Sequence, residues 1–172
     1  MALSDFSFNQ KLILNWIAKH ANGADFADTE FQDAQQWLQT FDFGTASEEV
    51  NQLYVGDRTV ASGANDDIDL SGSLTNFVGE TVTFSRIKLI LIYNPSTLAG
   101  EILTLGGGGS NSWIAPFGAS STFKDSVYPS GLWLRTAPLD GFLVTAGSAD
   151  ILRVHNSGTL SVTYPIIIAG LN

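Results

Sequence analysis

The chain has 172 residues, no cysteine, a net charge of −9 and only 15% charged residues against 44% hydrophobic ones. That length suits one domain with its own core, and the missing cysteine excludes disulfides, thiolate metal sites and thiol nucleophiles. The eight Lys and Arg are scattered, which argues against phosphate-rich partners: no nucleic acid and no anionic membrane surface is expected.

In chain order, Phe6 to Ala18 fits both a helical spacing and a period of two, and lacks a clean cap. It is read as a strand or extended arm. Ala21 to Asp33 reads as an acidic loop, and Gln35 to Phe43 as a strand with Trp37, Phe41 and Phe43 on one alternating face. Ala46 to Val50 reads as a loop or a single helical turn, Gln52 to Val60 as a strand, and Ser62 to Asp67 as a turn. Ile68 to Leu70 is a short strand. Glu80 to Asn94 carries the strongest strand signal and is expected to become buried on both faces towards Asn94. Further strands are expected at Glu101 to Leu105, Trp113 to Phe117, Leu132 to Thr136, Phe142 to Thr145, Ile151 to His155 and Ser161 to Ala169. Pro165 has no N–H to donate, so its strand is expected at an edge or bulged there. Strands recurring every 8–12 residues between Gly, Asn, Asp and Pro turns define the fold class as all-β, an antiparallel β-sandwich or jelly roll, with a short N-terminal arm. Residues 1–50 form the arm and first strands, and residues 51–172 the sandwich.

No constellation of catalytic residues stands out. Gly106 to Gly109 lacks the Lys-Ser/Thr and the helix of a phosphate loop and reads as a wide hairpin turn needing positive φ. Asp66, Asp67 and Asp69 do not have the spacing of a calcium loop and read as a solvated turn. His155, Ser157 and Asp150 lack a nucleophile elbow; His20 only ends an apolar segment. Glu80 and Glu101 flank strands as ordinary turn acids. The chain is therefore read as a non-enzyme, with no catalytic residue, cofactor or metal. Trp16, Trp37, Trp113 and Trp133 read first as core, second as anchors at a subunit interface, and third as a sugar-stacking platform.

From Asn51 onwards the order of motifs carries a resemblance. Arg58-Thr59 precedes a polar turn and DIDLSGSL (Asp67 to Leu74), then TFSRIK (Thr83 to Lys88), GGGGSNSW (Gly106 to Trp113) and VTAGSADILRVHNS (Val144 to Ser157). This series resembles the small structural proteins of tailed bacteriophages that decorate or cement the head. The resemblance implies a jelly-roll homotrimer on the outer capsid surface of the virion, made in the host cytoplasm without a cleaved signal. Its partners would be the major capsid protein and other copies of itself, held by non-covalent contacts. The N-terminal apolar segment, with Phe6, Phe8, Leu12, Leu14 and Trp16, is the expected partner contact. The alternative is a carbohydrate-binding or adhesion module of a phage fibre or tail, using Trp113 or Trp133 with Asn111 and Asp140.

Overall fold

The structure is a computed structural model that describes residues 8–20, 29–72, 74–109, 111–118 and 120–172. It is all-β, with antiparallel sheets enclosing a hydrophobic core. The strands are β1 (Phe8–His20), β2 (Thr29–Phe43), β3 (Glu49–Val50), β4 (Gln52–Val60), β5 (Asn65–Asp69), β6 (Leu74–Thr75), β7 (Thr81–Val82), β8 (Arg86–Tyr93), β9 (Leu103–Gly106), β10 (Lys124–Val127), β11 (Leu132–Thr136), β12 (Phe142–Leu143), β13 (Ile151–Asn156) and β14 (Val162–Leu171).

Two main sheets form the sandwich. One has the order β10-β9-β13-β5. The other runs β11-β8-β14-β4, with β12 also paired to β8. The long-range pairings nest: β4 pairs β14, β5 pairs β13, β8 pairs β11 and β9 pairs β10, all antiparallel. The chain is thus a single antiparallel ribbon folded over itself, each ribbon segment contributing to the opposite sheet from the one before. Inward residues of both sheets interdigitate. Tyr164, Ile166 and Ile168 of β14 and Ile90 and Ile92 of β8 meet Ile68, Leu103, Leu105, Leu152 and Val154 from the other sheet. The alternation along β13, with Leu152, Val154 and Asn156 buried between half-exposed neighbours, is the period of two of a strand with one covered face.

The β8–β14 ladder carries a bulge. Ala169 pairs Leu89 but Gly170 pairs Ile87, so Lys88 has no opposite residue on β14. An extra residue reverses the facing of what precedes it. Ile87 and Ile90, three apart, therefore both enter the main core, while Leu89 joins a second cluster on the outer side with Phe41, Val50 and Ala169. Double burial consequently lies at the beginning of β8, Ile87 to Ile90, whereas Leu91 and Tyr93 near Asn94 are half-buried. This reverses the gradient expected from the apolar run.

Other expectations are corrected in the same way. Strand Glu80 to Asn94 is broken into β7 and β8, because Phe84 turns into the core with its N–H donated to Leu70 O. Trp113 to Phe117 is not a strand. Trp113 N–H donates to Ile151 O and the chain then turns, leaving only a bridge at Ser112. The turn expected over Ser62 to Asp67 is shorter, since β5 begins at Asn65, and β2 begins at Thr29, inside the expected acidic loop. Pro165 lies in β14, which is central rather than an edge. It is accommodated because the ladder to β8 starts at Ile166, so Pro165 faces a partner only on β4.

Candidate interaction surface

The polar groups of the sandwich are mostly committed to holding it together. Asp66 of β5 accepts both arms of the Arg58 guanidinium (Nε 2.7 Å, Nη2 2.6 Å) and the Tyr164 hydroxyl (2.6 Å). Arg58 and Tyr164 are cross-strand neighbours on β4 and β14, so this triad ties the two sheets together. Burial works against ionisation of Asp66, but the bonds from Arg58 and Tyr164 outweigh it and hold the carboxyl below its ordinary range. Burial, reinforced by the Asp66 contact, pushes the Tyr164 phenol well up. Asp67 forms a bidentate pair with Arg153, and Asp69 Oδ1 accepts from the Ser71 N–H and hydroxyl. The three aspartates are thus used separately. Among the described residues, no group of three or more His, Cys, Asp or Glu could hold a metal ion.

The remaining chemical candidates are also structural. His155 Nδ1 lies 2.9 Å from Asn65 Oδ1, Ser157 Oγ donates to Ile102 O, and Asp150 Oδ2 accepts from the Gly147 N–H and Ser71 hydroxyl. His155, Ser157 and Asp150 therefore form no relay. The glycine run has φ of 84°, 66°, 148° and 98° at Gly106 to Gly109, a left-handed turn that side chains would strain. Lys88 is buried with its Nζ 2.6 Å from Ala46 O, and burial lowers its pKa.

At one end of the sandwich, buried polar side chains staple the loops. Asn94 Nδ2 donates to Glu101 O and Val127 O, and Asn156 Nδ2 to Leu160 O and Val60 O. Glu101 Oε1 accepts from Thr159 N (2.9 Å), Thr159 Oγ1 (3.0 Å) and Leu160 N (3.2 Å). The backbone bond from Thr159, aided by that from Leu160, holds the Glu101 carboxyl below its usual range against the cost of burial. A depressed carboxylate stabilises the fold above its unfolded pKa, and this contribution disappears as pH falls through the folded value. Glu101→Gln is expected to lower the urea midpoint at pH 7 and to shrink its loss between pH 7 and pH 4. An unchanged acid sensitivity in the variant would assign that sensitivity elsewhere. These stapled loops carry Leu98, Tyr128 and Leu160 exposed at their tips.

Trp113 and Trp133 are 1% and 4% exposed. Trp113 Nε1 donates to Leu143 O, and Trp133 Nε1 to Asp125 Oδ2, with Phe117 stacked on the Trp133 ring and Arg135 over it. Both rings are core, the first of the three readings made of them, and neither presents a face to solvent. Trp37 is different, at 54% exposed.

The sandwich also leaves apolar side chains only partly covered. On the outer face of the β11-β8-β14-β4 sheet, Leu134, Leu91, Ile167 and Val55 are register neighbours in one row across all four strands. Val55 is exposed and the other three half-buried. At the end of this face nearer the start of β8, Phe41 of β2 is fully buried against Val50, Leu89 and Ala169, rooting the N-terminal hairpin.

Of the expected contact residues, Phe6 lies outside the described residues. Phe8, Leu12, Leu14 and Trp16 fall on β1, whose whole length pairs antiparallel with β2. The register sets Phe8 opposite Phe41 and Leu12 opposite Trp37. Trp37 and Leu38 are consecutive, so they leave opposite faces of the ribbon, yet they are 54% and 67% exposed. A groove of about 410 Å³ runs between Gln36 to Gln39 and Thr136 at the tip of β11. The sequence pointed to β1 and marked Trp37 as core first and interface anchor second, but passed over Leu38 beside it; the signal was the apolar pair within a Gln-rich strand. No family model, curated protein or solved structure matches this chain.

Proposed function

We propose that this protein is a virion structural protein, a decoration or cement protein that stabilises a bacteriophage head through non-covalent contacts with the major capsid protein and with copies of itself, a homotrimer on the outer capsid surface. The observation that carries the reading is the pairing of spent polar groups with unspent apolar ones. Arg58, Asp66, Asp67, Lys88, Glu101, Asp125, Arg135 and Arg153 are taken up in ties between the sandwich's own strands and loops, while Val55, at the end of the half-buried row Leu134, Leu91 and Ile167, and the hairpin's Trp37 and Leu38 are exposed. Exposed apolar patches of this kind mark contact surfaces, and a protein that works by contact area needs no reacting group. The nested strand pairing, β4 with β14 inward to β9 with β10, supports the jelly-roll reading. Docking of several linked copies would turn modest contacts into strong retention. The net charge of −9 would keep decorated particles apart.

The test is a mass-spectrometric inventory of purified particles, with and without the protein, followed by heat challenge. The expected result is retention on the particle and a lower temperature of genome release without it. Absence from washed particles would contradict the reading.

A further inference from the structure

We infer that the β1–β2 hairpin is one segment of a closed sheet shared between copies of this chain, with the β1 edge of each copy paired to the β2 edge of the next. This deepens the self-association part of the function proposed above and rests on that part alone.

The first observation is the pair of open edges. β1 is the terminal strand of its sheet, and β2 has β3 beside it only at Asp42 and Phe43. Among the described residues, both edges of this long ribbon lack a neighbouring strand over most of their length; such edges invite pairing by another chain, and a two-stranded ribbon is marginal alone.

The second is the pattern of residues. The register assigns the aromatic residues Phe8, Trp16, Phe31, Trp37 and Phe41 to one row of positions, together with Leu12 and Leu14 and the polar Gln10, Asp33, Gln35 and Gln39. The second row holds Ile13, Ile17 and Leu38 beside Asn9, Lys11, Asn15, Lys19, Glu30 and Gln36. The aromatic row suits the inner side of a closed sheet.

The third is charge, which selects the partner. β1 carries Lys11 and Lys19 and no acid, while β2 carries Glu30, Asp33 and Asp42 and no base. Pairing β1 with β1 would oppose lysines, and pairing β2 with β2 would oppose carboxylates. Only β1 against β2 of another copy is complementary along the edge. The geometry then closes. Rotation about an axis parallel to the ribbon leaves strand direction unchanged, so each new contact is antiparallel, like the one inside the hairpin. Such head-to-tail contacts form rings, and three copies would give a six-stranded closed sheet.

Thirteen residues of β1 span roughly 43 Å at about 3.3 Å each. An edge about 10 Å wide would then bury about 400 Å² on each partner, about 800 Å² per contact, which is small for a single specific interface. A ring of three makes three such contacts, about 2,400 Å² in all, so closure of the ring rather than any one contact holds it.

The chain has no cysteine, so single cysteines report cleanly. Two differently tagged full-length chains are co-expressed, one with Lys11→Cys, Ile13→Cys or Asn15→Cys, the other with Gln36→Cys, Leu38→Cys or Thr40→Cys. Mild oxidation is expected to give mixed-tag disulfides in at least one combination, in clear excess over same-tag products. Dominant same-tag products, or no disulfide in any combination, would overturn the inference. A Lys11→Glu/Lys19→Glu chain is expected to fall about threefold in native mass, to 18.4 kDa, with its sandwich unfolding unchanged. Retention of the parental multimer would overturn the inference as well. A hairpin-linked multimer absent from particles would refute the virion reading while leaving this inference standing.

Discussion

Replacing Gly170 with alanine is expected to destabilise the protein by more than about 3 kcal/mol, read as a lower urea midpoint. Gly170 sits at the bulge where β14 meets β8, opposite Ile87 on one side and Gln52 on the other. A Cβ there would lie 2.1 Å from Arg86 O and 3.0 Å from Ile87 Cα. Both are backbone atoms of the neighbouring strand, so no side chain can rotate away. Relief requires β8 and β14 to part at the centre of a four-strand path, breaking ladder bonds and opening the core beside Ile87 and Ile168. Gly72→Ala is the control. Its Cβ would meet only Asp69 Oδ2, at 3.7 Å, and the expected change is within about 0.5 kcal/mol. Similar losses in both variants would show that the bulge is not the cause.

Asp66→Ala is expected to cost about 2–4 kcal/mol. Removing one member of a buried ion pair costs about 3–5 kcal/mol because the other charge is left uncompensated. The figure is reduced here because the Arg58 side chain is 26% exposed and partly screened. Tyr164, fully buried, would also lose the acceptor for its hydroxyl. Tyr164→Phe removes only a hydroxyl and leaves the Arg58–Asp66 pair, so about 1 kcal/mol is expected. In the double variant the two losses should sum to less than their separate values, because the phenol without its acceptor has been removed. The triad also adds acid sensitivity. Asp66 is held ionised below its ordinary range, so its contribution is present above the unfolded carboxylate pKa and is lost as pH falls through the folded one. Full additivity would mean that Tyr164 and Asp66 are not energetically linked.

Where alternation and turn chemistry agreed, the strands were readable. Gln52 to Val60 and Leu132 to Thr136 are β4 and β11 as expected, because each is an apolar alternation bounded by turn residues. Residues 6–18, ambiguous by spacing, contain β1 from Phe8 onwards. What decides it is long-range pairing with β2, which no local pattern encodes. The failures have physical causes as well. β10, Lys124–Val127, is polar on its outer side and contributes only Val127 to the core, so it has no alternating signal. Trp113 to Phe117 is apolar because it plugs the end of the sandwich, not because it joins a ladder. The reversed burial gradient of β8 comes from a bulge whose cause, the close approach at Gly170, lies more than 80 residues away in sequence. The contact surface was half legible. The apolar residues of β1 were visible, whereas the row Leu134, Leu91, Ile167 and Val55 exists only once four separate strands are placed side by side.

The work proposed for this wall of strands is contact between copies and with a larger shell. Sedimentation equilibrium of the intact chain, over a wide range of concentration, measures the contact between copies. The expected result is a discrete species three times the 18.4 kDa chain mass, persisting on dilution. A single 18.4 kDa species at every concentration would contradict it.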